Sequence, residues 1–142
     1  MKIEDLLRRK RPGVITVKPR ATIKNAADKL RMENIAALVV VEGEAILGIV
    51  SEREIVRALS RHGDEIGSMY VKDIMIPSIA CSPLDGLQHA MSIMTQRRMR
   101  HVIVLQDKRL AGIISIGDVV KHRLSDLELE TGVLRDAFLA TH

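Results

Sequence analysis

An internal repeat limits the possible folds of this chain more than any other feature of its sequence. When the 142 residues are shifted by 64 places against themselves, residues 15–57 align with residues 79–121 without a gap. The phrase "GIVSERE", which begins at Gly48, corresponds to "GIISIGD", which begins at Gly112. One copy is too short to bury both faces of a sheet, so we expect the two copies to pack against each other.

The first helix of each copy has a recognisable start. In the first copy, Thr22 is expected to be the N-cap of a helix whose apolar residues follow at helical spacing. In the second copy, Asp85 precedes Gln88 by three residues, a pattern that predicts a capped helix start at Asp85.

Two strands and a second helix follow in each copy. The runs "ALVVV" and "HVIVL" are rich in β-branched residues and predict strands that are buried on both faces. The shorter runs "ILGIV" and "LAGII" predict strands that contain Gly48 and Gly112, where glycine often marks a close approach of backbone or of a ligand. Ser51 and Ser115 then begin helices. The doubled order predicts an α/β (α+β) fold of two β-α-β-β-α repeats packed face to face.

The repeat divides the chain into five segments. We expect an N-terminal helix or arm at 1–13, a first repeat at 14–60, a linker at 61–78, a second repeat at 79–123 and a C-terminal helix at 124–142. The C-terminal segment has apolar residues at alternating spacings of four and three, which is typical of a coiled-coil seam. A helix that folds back on its own domain and a dimer seam are both open. The seam comprises Val120, Leu124, Leu127, Thr131, Leu134 and Phe138.

The charge of the chain permits nucleic acid as a partner, but its aromatic content disfavours single-stranded nucleic acid. The net charge is +4, and the basic clusters at 8–11 and 97–100 can attract nucleic acid, a membrane surface or a phosphate ligand. Only Tyr70 and Phe138 are aromatic, so the bases of a single strand would have no stacking platform.

The sequence lacks the motifs of common enzyme and membrane classes. The stretch "GEAILG" is not followed by the Lys-Ser/Thr of a P-loop, and the five histidines are scattered without metal-ligand spacing. We therefore expect neither catalysis nor a bound metal. The longest apolar run, 35–41, is too short to cross a bilayer. The single cysteine, Cys81, is expected to be a buried, inert thiol and suits a cytoplasmic protein.

These features together resemble a tandem pair of CBS domains, the family named after cystathionine β-synthase, in its stand-alone form. The resemblance covers residues 14–123 and depends on the doubled element order, the glycine-hydrophobic-hydrophobic-Ser/Thr-x-x-Asp phrase and "MRHVIVL". The chain departs from the family at Leu38 and Val102, where a proline is usual, and at Glu54, where an aspartate is usual.

The resemblance implies two clefts that bind adenosine-containing ligands. A carboxylate at a strand-to-helix turn can accept hydrogen bonds from both ribose hydroxyls, at roughly 1.5–3 kcal/mol each, and the helix N-terminus suits phosphate. Aliphatic side chains would hold adenine. The first cleft is expected to comprise Asp118, Ser115, Ile113, Val14, Ile15, Ala36, Ala37, Arg100 and His101. The second, weaker cleft is expected to comprise Glu54, Ser51 and Ile79, again with Arg100 and His101.

The implied function is regulatory ligand sensing by a homodimer. AMP and NAD are the first candidates, ATP and ADP follow, and the nearby Arg100 and His101 favour these over S-adenosylmethionine. The resemblance also implies a regulated partner protein. Ser51-x-x-Glu54 is also a helix capping box that needs no ligand. The alternative function is therefore a protein-interaction or nucleic-acid-binding module with empty clefts.

Overall fold

The computed structural model describes the backbone of residues 1–140 and the side chains of residues 1–132. Two short 3-10 helices, Gly63–Ser68 and Val71–Asp73, lie between the repeats. The other elements are α1 (Ile3–Arg8), β1 (Thr16–Val17), α2 (Ile23–Glu33), β2 (Ala37–Glu42), β3 (Ala45–Ser51), α3 (Glu52–His62), β4 (Ala80–Cys81), α4 (Leu87–Arg97), β5 (His101–Gln106), β6 (Arg109–Ser115) and α5 (Ile116–Ala140).

Each repeat forms its own three-stranded sheet, in the order β1-β2-β3 and β4-β5-β6. The first pair in each sheet is parallel and the second pair is antiparallel. Both antiparallel pairs contain a register shift at the strand glycine. Val40 pairs with Gly48 and Val104 pairs with Gly112, and the shift follows directly after Val40 and after Val104. The predicted fold of two β-α-β-β-α repeats is confirmed. The first strand of each repeat is only two residues long and pairs with a single parallel neighbour.

The sheets pack against each other through one face and against their own helices through the other. On the shared face, Ala37, Val39 and Ile49 form a buried cluster with Ile103 of the second repeat. On the opposite face of β2, Leu38 and Val40 are fully buried with Ala26 of α2. Because alternate side chains of a strand point to opposite faces, burial on both sides requires the uninterrupted apolar run of β2.

Each repeat is completed by a segment outside its own strands and helices. Helix α1 packs on the second repeat, where Ile3 and Leu6 join the buried cluster around Met94. The connection between the repeats packs on the first, where Val71 is fully buried with Val50. The N-terminal segment thus packs on the second repeat, although the first repeat is its neighbour in the sequence.

The predicted helix starts are confirmed except at Asp85. The Thr22 hydroxyl accepts a hydrogen bond from the Asn25 amide at 3.1 Å, as an N-cap should. The start predicted at Asp85 is wrong, because α4 begins at Leu87 with Gly86 at the cap position. The Asp85 carboxylate instead accepts a hydrogen bond from the Ser82 amide at 2.8 Å and closes the turn before the helix.

Helix α5 continues without a break from the second repeat into the C-terminal segment, over 25 residues. Leu124 is 55% exposed and Leu127 is 51% exposed, so neither side chain is covered by the chain's own repeat. The outer seam positions Leu134 and Phe138 lie outside the described side chains. Among the helices at residues 1–140, none combines the length and hydropathy that crossing a bilayer requires.

Candidate functional site

Two cavities open between the repeats, and the first contains the predicted carboxylate. It has a volume of about 320 Å³. Eight of the nine residues expected in the first cleft line it, and the ninth, Arg100, lines the second cavity instead. His101 lines both cavities, as the resemblance implied. The eight residues are Val14, Ile15, Ala36, Ala37, His101, Ile113, Ser115 and Asp118.

The end of β6 places Asp118 at this cavity. The Ser115 amide donates a hydrogen bond to Oδ2 of Asp118 at 2.9 Å, and the Asp118 amide donates to the Ser115 hydroxyl at 3.0 Å. This reciprocal pair fixes the first turn of α5. The Asp118 side chain remains 25% exposed, so a ligand in the cavity can reach the carboxylate.

Lys10 also reaches this carboxylate, which the sequence analysis missed. Its ammonium group donates hydrogen bonds to Oδ2 of Asp118 and to the Ile113 carbonyl, both at 2.6 Å. Lys10 follows α1, and the packing of α1 on the second repeat brings it to Asp118 across 108 positions of sequence. In the sequence, Lys10 is one of four consecutive basic residues, and nothing in that run distinguishes it from a solvated charge.

The surroundings keep Asp118 ionised. Burial raises the pKa of the Asp118 carboxyl, but hydrogen bonds from Lys10 and Ser115 and the Lys10 charge outweigh it, so the pKa lies below its usual value. At His101, burial lowers the pKa of the ring, and the opposing charge of Asp118 does not restore it. Near pH 7 the cavity therefore contains an anionic acceptor and a histidine that is mainly neutral.

The second cavity has a volume of about 420 Å³ and contains the equivalent carboxylate in a different arrangement. Glu54 is only 5% exposed. Its Oε1 accepts hydrogen bonds from the Ser51 amide at 2.8 Å and from the Ser51 hydroxyl at 2.6 Å. The predicted capping box is confirmed, and it holds this carboxylate within the protein. The predicted second-cleft residues Ile79, Arg100 and His101 also line the cavity.

Positive charge dominates the second cavity. Within the described part of the chain, its five arginines form no ion pair with a carboxylate. Because Glu54 is engaged by Ser51, the accessible charge of this wall is cationic and suits an anionic ligand. The sequence analysis assigned only Arg100 to this cleft, although it noted that the basic cluster at 97–100 can attract a phosphate ligand. The five arginines are Arg53, Arg57, Arg97, Arg98 and Arg100.

Comparison with known proteins shows which family and which proteins this chain is similar to. A protein-family model described as "CBS domain" matches residues 3–61 and 71–125. The CBS domain-containing protein CBSX3, mitochondrial, of Arabidopsis thaliana is 38% identical over 106 residues, which are 70% of this chain and 52% of that protein.

Two solved structures share the fold over most of their length. The CBS-domain containing protein ATU1752 from Agrobacterium tumefaciens is 41% identical, with a TM-score of 0.83, over 87% of this chain and 99% of that one. The CBS domain protein PAE2072 from Pyrobaculum aerophilum, solved in complex with AMP, is 27% identical, with a TM-score of 0.78, over 92% of this chain and 99% of that one.

Proposed function

The chain belongs to the CBS domain family, and from this we propose that it binds an adenosine-containing nucleotide in the cavity that Asp118 lines. The observation that carries the proposal is an ionised, partly exposed carboxylate on the wall of an open cavity between the repeats. The related protein PAE2072 was solved with AMP, which supports this class of ligand. The proposed role is regulatory sensing rather than catalysis.

Each part of a nucleotide has a matching group in this cavity. Lys10 and Ser115 both donate to Oδ2 of Asp118, which leaves Oδ1 to accept hydrogen bonds from the ribose hydroxyls. The aliphatic side chains of Val14 and Ile15 offer apolar surface to adenine.

The phosphate end has two neighbours of suitable chemistry. Lys10 supplies a positive charge beside the cavity, and the N-terminus of α5 adds the positive end of the helix dipole. These groups favour AMP, ADP, ATP and NAD over adenosine compounds without phosphate. AMP is our first candidate because the related protein PAE2072 was solved with AMP.

The second cavity is a poorer ribose site. Glu54 is only 5% exposed, so a diol in this cavity can reach little of its carboxylate. We propose that any occupant of this cavity is held mainly through negative charge by the arginines, and only weakly through a sugar.

We expect AMP to stabilise the protein measurably in thermal unfolding. At free AMP 100 times its dissociation constant, binding to the folded state alone adds about 2.7 kcal/mol to the free energy of unfolding. Adenosine and inorganic phosphate serve as matched partial ligands, and each should shift the melting temperature less than AMP. No shift with AMP, NAD, ADP or ATP would contradict the proposal.

The salt dependence of binding affinity separates this function from nucleic-acid binding. Affinity for duplex DNA should fall steeply between low and physiological salt, because counterions are released in proportion to the phosphates contacted. A nucleotide held through ribose and adenine should respond much less to salt. Tight, strongly salt-dependent DNA binding without any AMP response would favour the alternative.

We further propose that a second copy of the chain covers the exposed faces of α3 and α5. Val56 of α3 and Val120 of α5 occupy equivalent positions in the two repeats, and they are 64% and 46% exposed. Leu124 and Leu127 extend this surface along α5 at the spacing of a coiled-coil seam. A homodimer would be regulated by ligand to the extent that the ligand binds its two arrangements differently.

Leu124→Glu should therefore convert a dimer into a monomer, because it places a charge in the proposed interface. The measurement is the molar mass from sedimentation equilibrium across a concentration series. Met32→Glu is the matched control, because Met32 of α2 is also apolar and 74% exposed. A wild-type protein that sediments as a monomer at high concentration would contradict the dimer.

A further inference from the structure

A cluster of three potential metal ligands lies at the start of the second repeat, away from both cavities. Cys81 ends β4, Asp85 closes the following turn and His89 lies in the first turn of α4. One ligand atom from each lies within 4.8 Å of the others. The spacing Cys-x3-Asp-x3-His escaped the sequence analysis, which considered histidine spacing alone.

The distances suit three ligands of one ion. Nε2 of His89 is 4.0 Å from Oδ2 of Asp85, too far for a hydrogen bond. Zinc bond lengths of about 2.0–2.3 Å in tetrahedral geometry place neighbouring ligand atoms roughly 3.5 Å apart. The His89 side chain is 58% exposed and so has room to move closer to an ion between the three groups.

The internal repeat shows that the fold does not require these residue types. The equivalent positions of the first repeat, 64 residues earlier, contain Val17, Ala21 and Asn25. That repeat builds the same strand, turn and helix. The three donor groups therefore occur together in one repeat without a structural need that the other repeat shares.

We propose that Cys81, Asp85 and His89 form a zinc site. A thiolate, a carboxylate and a neutral imidazole are ligands that Zn²⁺ prefers, and the two negative charges balance the charge of the ion. Cys81 is 5% exposed and fixed in the core, while the Ser82 amide holds the Asp85 carboxylate in place. Three protein ligands leave a fourth tetrahedral position, which water would occupy.

Zinc binding would convert the Cys81 thiol to a thiolate. Burial raises the pKa of the Cys81 thiol, so the metal-free protein keeps this group protonated. Binding transfers the thiol proton to solvent as the sulfur–zinc bond forms. No redox change is involved.

The turn that contains this cluster also holds the N-terminal segment. The Asp85 carbonyl accepts a hydrogen bond from the Ile3 amide at 2.9 Å, and the Leu87 amide donates to the Met1 carbonyl at 3.1 Å. Zinc would fix this turn and so strengthen the docking of α1, the helix that leads to Lys10. The site would thus add stability to the N-terminal side of the first cavity.

The test is competition for Zn²⁺ between the nucleotide-free protein and a chromophoric chelator, with Co²⁺ absorption as a report of thiolate ligation. We expect one Zn²⁺ per chain and a sulfur-to-cobalt charge-transfer band. His89→Ala should lower the affinity at least tenfold, and His62→Ala, an exposed histidine outside the cluster, should leave it unchanged. Cys81→Ser should remove the charge-transfer band.

Two results would overturn the proposal. One is wild-type zinc affinity in His89→Ala, and the other is cobalt bound without a thiolate band. Because Cys81 is buried, Cys81→Ser can fail to fold, but His89 is exposed and its variant tests the site on its own. No nucleotide is present, so either result is independent of the proposed nucleotide function.

Discussion

Asp118→Asn should abolish the rise in melting temperature that AMP gives to the wild-type protein. The amide retains a carbonyl oxygen for the Ser115 amide, so the start of α5 is preserved. It lacks the charge and the second acceptor that a ribose diol needs, and hydrogen bonds to a charged acceptor are worth about 1.5–3 kcal/mol each. The measurement is the difference in melting temperature with and without AMP, taken for each variant.

Glu54→Ala is the matched variant in the other repeat, and it should affect stability rather than binding. Oε1 of Glu54 accepts two hydrogen bonds from Ser51 inside the protein. Its loss leaves a buried amide and hydroxyl without their partner and should lower the free energy of unfolding by about 2–3 kcal/mol. The rise in melting temperature with AMP should persist.

The two variants discriminate between the cavities. A wild-type AMP response in Asp118→Asn, together with a lost response in Glu54→Ala, would move the nucleotide to the second cavity. A lost response in both variants would require Asp118→Ala and Glu54→Gln as further controls, because Gln can still accept from Ser51.

Gly48→Ala should destabilise the protein by about 3 kcal/mol, at the upper end of the cost of overpacking. A Cβ at residue 48 would lie 2.5 Å from the Ile76 carbonyl oxygen. That carbonyl accepts a hydrogen bond from the Ile49 amide, and the Ile76 amide donates to the Ile49 carbonyl, both at 2.9 Å. The obstacle is therefore a backbone segment that two hydrogen bonds hold in place. Urea unfolding measures the change.

Gly112→Ala provides the control at the equivalent position of the second repeat. A Cβ there would lie 2.5 Å from Cδ2 of Leu7, the end of a side chain that can rotate. We expect a loss of about 1 kcal/mol or less. Equal losses in the two variants would mean that the connection after the first repeat yields as easily as a leucine side chain.

The two carboxylates show how one methylene group separates two sites with the same sequence pattern. Glu54 and Asp118 both follow a serine by three residues and both accept a hydrogen bond from its amide. The longer Glu54 side chain also reaches the Ser51 hydroxyl and is buried. The shorter Asp118 side chain accepts from Lys10 instead and remains partly exposed.

Much of the fold follows from the sequence alone, because local patterns determine it. The continuous apolar runs, the Thr22 cap and the two serine-started helices each depend on residues a few positions apart. The repeat then requires that both halves have the same architecture and share a core. These are short-range and symmetric constraints, and reading them needs no coordinates. The carboxylates at the strand-to-helix turns were visible for the same reason.

Tertiary structure alone decided which side chains meet at each site. Lys10 reaches Asp118 because α1 packs on the distant repeat, and five arginines gather around the second cavity from α3, the end of α4 and the approach to β5. Charged side chains can be solvated anywhere on a protein surface, so no pattern in the sequence determines which of them meet in three dimensions. Burial and long-range packing determine where these charged side chains lie, because they act between residues that are as many as 108 positions apart in the chain.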